Sequence, residues 1–245
     1  TTSSRWMLII AGFVINLCLG TVYAWSCFRP ALHQAPCNLT VSESVLPFSI
    51  FLLMFGITFA FSGKMIGEVG PRRPALIGAF LLGVGYIFCY AIAIFPESTL
   101  LITIVGFGLI AGTGCGFAYN PPIAVVGRWF PDRRGLALGL TVMGFGLSAL
   151  ITAPAVVAMI SMIGLPNTFL VLGVVFLILL SLLGLAMRFP AAGWMPPLPK
   201  ASASKKGWAA SVKDFTSGEM VRTRTFYLAW LIYLVGAGAG LMVIG

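Results

Sequence analysis

Thr168-Phe-Leu-Val-Leu-Gly-Val-Val-Phe-Leu-Ile-Leu-Leu-Ser-Leu-Leu-Gly-Leu-Ala-Met187 runs for 20 residues without a charge. A hydrocarbon layer about 30 Å thick needs roughly 20 apolar helical residues to cross it, so the run predicts a membrane-spanning helix. It is continuous rather than alternating, and a barrel strand needs only about 10 residues, which argues against a strand. Six more stretches read the same way: Trp6–Phe28, Val45–Met65, Pro74–Phe95, Leu100–Val126, Leu136–Ile160 and Phe226–Ile244. The class is therefore an all-α membrane protein. Composition agrees: 59% of the residues are hydrophobic and 9% charged. A soluble globule with so few charges could not cover its exterior, which excludes a cytosolic enzyme, a disordered chain and a nucleic-acid binder.

The charges lie between the helices. Fourteen of the 15 lysines and arginines, from Arg5 to Arg224, fall on one side of the alternation, and only Arg29 falls on the other. Basic residues beside membrane helices resist translocation, so the rich side and the N-terminus are predicted to be cytoplasmic, with Gly245 outside. The pI of about 9.7 then records orientation and makes anionic headgroups on the cytoplasmic side the expected electrostatic partner. Arg5 ahead of the first run is not read as a signal peptide, because the run exceeds the usual signal core and no cleavage site follows.

Thr40-Val-Ser-Glu43 has capping-box spacing before the second helix, and Thr216-Ser-Gly-Glu219 repeats it before the seventh. Pro96-Glu-Ser-Thr99 and Gly164-Leu-Pro-Asn167 read as tight external turns. Ala191–Thr225 is the one long connection. Trp208, Val212 and Phe215 within it are spaced either for a short amphipathic surface helix or for a plain linker. Cys27 and Cys37 flank the first external loop and form a candidate disulfide, while Cys18, Cys89 and Cys115 read as small apolar residues. His33, the single histidine, reads as a solvated loop residue. No cofactor motif or metal-ligand set is present in the reading.

The interiors of the seven runs hold no Asp, Glu, Lys, Arg or His. Intramembrane charges mark proton relays and ion sites, so a self-contained proton pump is disfavoured. A retinal protein would need a Schiff-base lysine, which the seventh run lacks, and a seven-helix receptor would need the opposite topology. A channel would need polar rings along a pore. The helices carry glycine and aromatics instead: Gly20-Thr-Val-Tyr-Ala-Trp25 in the first, Gly112-Thr-Gly-Cys-Gly-Phe-Ala-Tyr-Asn-Pro-Pro122 in the fourth, and Gly139, Gly144, Phe145, Gly146 and Pro154 in the fifth. Static packing through small residues explains most of the glycines. Tyr23, Tyr119 and Asn120 need polar partners and fit a cavity between the first and fourth helices. Trp6 and Trp129 read as interfacial anchors, an alternative that also stands for Trp25. The first and fourth helices share a Gly-rich turn before an aromatic cluster, which suits a three-plus-three repeat.

Two loops on the basic side carry a resemblance. Gly63-Lys-Met-Ile-Gly-Glu-Val-Gly-Pro-Arg-Arg73 resembles the signature loop of the major facilitator superfamily, and Arg128-Trp-Phe-Pro-Asp-Arg-Arg-Gly135 its companion loop. With Gly20-Thr-Val-Tyr-Ala-Trp-Ser26, Arg188-Phe-Pro190 and Gly240-Leu-Met-Val-Ile-Gly245, the chain is similar to the oxalate/formate antiporter family, which is related to the monocarboxylate transporters. One departure stands out: Gly67 and Glu68 occupy positions where the superfamily loop usually has an Asp and a basic residue. In relatives that Asp helps latch the cytoplasmic side. Here Glu68 or Asp132 is expected to serve.

The resemblance implies twelve helices in two halves. The chain is thus expected to be a fragment: a six-helix N-terminal domain (1–190), a central cytoplasmic loop (191–225) and the first helix of a truncated second domain (226–245). It implies a cell-membrane transporter of small carboxylates, working by alternating access as an antiporter or symporter, coupled to a counter-anion or a proton. By positional match Tyr23, Tyr119 and Phe145 bind substrate, with Trp25 and Asn120 as neighbours. Gly63, Glu68, Gly70, Arg72, Arg73, Arg128, Asp132, Arg133 and Arg134 form the cytoplasmic gate and switch. Arg29 is read either as an external gate or as an interfacial anchor. An anion needs a compensating charge, so cationic ligands are expected beyond residue 245. A transporter of another small solute, a neutral one included, is the alternative.

Overall fold

The second helix starts at its capping box. Thr40 caps the second helix: the Glu43 amide donates to Thr40 Oγ1 at 3.3 Å, and the Thr40 amide donates to Glu43 Oε2 at 2.8 Å. The computed structural model describes residues 2–191, 194 and 217–244. Among these, six helices are long and apolar enough to cross a membrane: α1 (Arg5–Leu32), α2 (Val41–Val69), α3 (Arg72–Ala93), α4 (Pro96–Trp129), α5 (Pro131–Ile163) and α6 (Leu165–Leu185). The seventh apolar run is α7 (Arg224–Ile244). All seven begin before their apolar runs, because a helix continues through polar flanks until its backbone is capped. Gly70 (φ 82°) ends α2 and Gly164 (φ 80°) ends α5, both in the region that glycine adopts without a Cβ clash. The chain divides after Pro196 into two compact units. The first holds α1–α6. The second holds the short turn of helix Ser217–Met220 and α7. Thr216 and the proposed amphipathic helix at Trp208, Val212 and Phe215 lie outside the described residues.

In the first unit α3 packs along α6, α2 along α4, and α1 along α5, while α4 also lies against α1 and α3. These contacts are close because glycines stand at them. A Cβ on Gly78 of α3 would meet the Gly114 carbonyl oxygen of α4 at 2.6 Å. A Cβ on Gly20 of α1 would meet the Phe145 carbonyl oxygen and Ser148 of α5.

Three spans depart from regular α-helix along their length. Gly20–Ala24 in α1 and Cys89–Ala93 in α3 are tighter 3-10 segments, and Ile104–Ala111 in α4 is a wider π segment. Pro121 lies inside α4 and has no N–H to bond the Phe117 carbonyl one turn back. Ser62 of α2 donates its hydroxyl to that carbonyl at 3.0 Å. Thus a neighbouring helix satisfies the group that the proline frees. The cysteines do not pair: Cys27 and Cys37 are half-buried free thiols, and the candidate disulfide is absent from the structure.

Candidate functional site

Four helices bring aromatic side chains to one place in the bundle. Tyr23 from α1 meets Phe145 from α5 edge to face, with ring centroids 5.2 Å apart. Tyr119 from α4 meets the same Phe145 edge to face at 5.0 Å. Phe55 from α2 lies 5.6 Å from Tyr119, and Phe59, one turn along α2, lies 5.7 Å from it. Such edge-to-face pairs set a ring's positive rim against a neighbour's negative face and hold the rings in a fixed geometry. Asn120 donates its Nδ2 to the Phe59 carbonyl at 2.7 Å, tying α4 to α2 beside the cluster. The rings are half-buried, except Phe59, which is exposed. Tyr23 and Tyr119 thus bring two phenols into an otherwise apolar aromatic cluster between the helices.

The structure brings together Tyr23, Tyr119, Phe145 and Asn120, and it leaves Trp25 out. Trp25 is 3% exposed, stacks 4.1 Å from Phe107, and donates its indole N–H to the Ser44 carbonyl at 2.8 Å. Residues two apart on a helix point to opposite faces, so Trp25 and Tyr23 cannot share one wall. Phe55 and Phe59 were absent from the sequence reading. They sit in a helix that is apolar on every side, so no contrast along α2 singles them out. Asn16 was missed too: its amide Nδ2 bonds the Gly12 carbonyl at 3.0 Å within the core of α1.

At one end of the bundle stand Arg29 and His33. Ser44 is buried there, and its hydroxyl donates to the Val41 carbonyl at 2.8 Å. Arg29 Nε donates to the Ser44 hydroxyl at 3.2 Å, and His33 Nε2 lies 2.9 Å from it. His33 is consequently docked on α2 rather than solvated.

The other end carries the arginines. Arg5 and Asp132 form a two-pronged pair across 127 residues, with nitrogen–oxygen distances of 3.1 and 3.4 Å. The guanidinium also lies 4.8 Å from the centre of the Phe130 ring, on whose edge Trp6 packs. The Trp129 indole donates to the Arg188 carbonyl at 2.8 Å, and Arg128 stacks 3.7 Å over Phe189. Asp132 is thus engaged with α1. Glu68 is exposed and makes no ion pair among the described residues. Arg72 is half-buried, whereas Arg73, Arg133 and Arg134 are exposed. Gly63 lies beside Asn120, and Gly70 makes the turn into α3.

Such a bundle is the transmembrane unit of an all-helical, multi-pass membrane protein. The chain belongs to the Major Facilitator Superfamily, whose model matches residues 7–245. It is 28% identical over 244 residues to the Oxalate:formate antiporter of Oxalobacter formigenes, an alignment covering 98% of this chain and 54% of that one. It is 32% identical over 200 residues to Monocarboxylate transporter 14 of Homo sapiens, covering 79% and 37%. It is 24% identical over 294 aligned positions to Apicoplast pyruvate carrier 1 of Toxoplasma gondii, covering 90% and 53%. The chain spans about half the length of the curated relatives it matches.

Proposed function

We propose that these helices form one wall of the path in a small-carboxylate transporter of the oxalate/formate or monocarboxylate type, operating by alternating access. The observation that carries the reading is the convergence of Tyr23 and Tyr119 on Phe145 from three helices. The two phenols orient the carboxylate, and Phe55, Phe59 and Phe145 shape the apolar wall. Asn120 fixes α4 against α2. Relatives whose names specify oxalate, formate, monocarboxylates and pyruvate supply the substrate class.

The interior of the bundle holds no ionised side chain, so the counter-charge for an anion comes from a part of the transporter beyond α1–α6. The arginine-rich end faces the cytoplasm of the cell membrane, and its Gly63–Arg73 and Arg128–Arg134 turns switch between the inward and outward states. Arg29, held on Ser44, guards the external mouth.

The charge-free interior favours one second reading, a small neutral solute. Uptake of labelled oxalate, formate and lactate into proteoliposomes containing the transporter separates the two. Saturable carboxylate uptake that Tyr119→Phe lowers about tenfold, the scale of one hydrogen bond to a charged group, supports the first. Uptake of none of the three anions sinks it.

A further inference from the structure

We infer that the arginine-rich end of the six-helix unit binds one anionic phospholipid, with its phosphate on Arg72, Arg73 and Arg188 and an acyl chain in the groove between α1 and α6. Two adjoining concavities carry this inference. One, of about 510 Å³, lies between the turn Val69–Arg73 and Met187–Phe189, and the three arginines line it. The other, of about 530 Å³, is a groove walled by Met7, Ile10 and Val14 of α1 and by Leu183 and Ala186 at the end of α6. Arg188 lines both, so the cationic pocket and the apolar trough share a wall.

The pocket is built for an anion and is not neutralised from within. Arg72, Arg73 and Arg188 form no side-chain hydrogen bond or ion pair among the described residues, and Arg72 Nε is buried without a partner. Glu68 precedes the turn but does not line the pocket. α3 starts at Arg72 with no side-chain cap and no acidic residue in its first turn, so its leading N–H groups and dipole add to the attraction. The Trp129 bond to the Arg188 carbonyl fixes the backbone where the two concavities meet.

Charge decides the occupant. The chain's own central segment, 192–216, carries Lys200, Lys205, Lys206 and Lys213 against Asp214 alone, and three arginines repel it. A free phosphate satisfies the arginines but leaves the trough unexplained. Met7 and Ile10 are 67% and 63% exposed, and the trough runs along membrane-crossing helices, where acyl chains are the solvent. A phospholipid with a net negative headgroup fills both parts at once.

The test is binding of dioleoyl phosphatidylglycerol and dioleoyl phosphatidylcholine to the purified protein in uncharged detergent, read by native mass spectrometry and melting temperature, with inorganic phosphate as a third arm. Expected are preferential binding of phosphatidylglycerol and a roughly fivefold weaker affinity in Arg188→Gln, the scale of one basic side chain at a membrane surface. The combined Arg72→Gln, Arg73→Gln, Arg188→Gln protein loses the preference. Lys64→Gln removes a charge outside the pocket and keeps it. Equal binding of the two lipids overturns the inference, as does a Lys64→Gln loss matching that of Arg188→Gln. Stabilisation by inorganic phosphate equal to that by phosphatidylglycerol overturns it in favour of a soluble-anion site. Should the triple variant not fold, the exposed single Arg188→Gln carries the test alone.

Discussion

Gly114 in α4 and Gly139 in α5 come from equally glycine-rich stretches, and their surroundings are opposite. A Cβ at Gly114 would strike the Leu82 backbone nitrogen and the Gly78 carbonyl oxygen, the latter at 2.8 Å, whereas at Gly139 nothing lies within 4 Å. The contrast recurs within α5 itself, where Gly144 abuts the backbone of Phe13 and Gly146 stands in open space. Along α5 one face therefore closes the bundle against α1, and the other is left bare. Glycine content reports both situations alike, and only the neighbour's backbone tells them apart. The tyrosines follow the closed seams: Tyr23 lies three residues after Gly20, and Tyr119 five after Gly114.

The sharpest way to break this contrast is Gly114→Ala. The added methyl meets backbone, which cannot rotate away, so α3 and α4 must separate. Overpacking of this kind costs roughly 1–3 kcal/mol, and the rigid obstacle puts the value at the upper end. A lowered melting temperature by fluorescence-detected size exclusion is the expected result, and unchanged melting would mean the seam is looser than drawn. Ser62→Ala probes the neighbouring α2–α4 contact. It leaves the Phe117 carbonyl, already without a helical partner because of Pro121, unsatisfied inside the bundle. The expected loss is about 1–2 kcal/mol. Restoring the α4 hydrogen bond with Pro121→Ala in the same protein should recover part of it.

The α1–α5 side is tested further out by Arg5→Gln and Asp132→Asn. Their side chains are 12% and 16% exposed, and the contact is two-pronged, so the pair should exceed a free surface ion pair, at about 1 kcal/mol. A double-mutant cycle on melting in low and high salt reads it. Additive single effects would show that the two groups act independently.

Much of this was legible from sequence, and the boundary is physical. Each of the seven apolar runs falls on a helix to within two residues at its end, and among the described residues six of these helices are long and apolar enough to cross a membrane, because length is a local property. The Thr40 cap was legible for the same reason: its partner is three residues away. What escaped depends on where helices meet. Arg5 and Asp132 are 127 positions apart, and no spacing rule links them. Phe55 and Phe59 join Tyr119 only because α2 lies along α4, and an apolar helix does not advertise which side does so. Tyr23, Tyr119 and Phe145 were singled out through family resemblance and the cost of buried hydroxyls, and the structure brings them together. Trp25 was placed with them on proximity in sequence, and the turn of the helix carries it to the other face. Of the two carboxylates expected to latch the cytoplasmic side, Glu68 is exposed and Asp132 contacts α1, and neither position follows from local spacing.

Gly139→Ala is the smallest expected change and the one that most sharpens the comparison. An interior helical glycine costs roughly 0.5–1 kcal/mol relative to alanine through the freedom it retains when unfolded. At Gly114 the clash overwhelms that gain. At Gly139 no neighbour opposes it, so the helix should be stabilised and the melting temperature should rise slightly. Arg133 and Arg134 lie just before this stretch, so a stiffer α5 should be felt at the arginine-rich turn. Amide exchange over Arg133–Gly139 should slow if the glycine loosens the helix there. Unchanged melting and exchange would mean that the bare face is already held as rigidly as the packed one, and the distinction between the two glycines would then be one of contact alone.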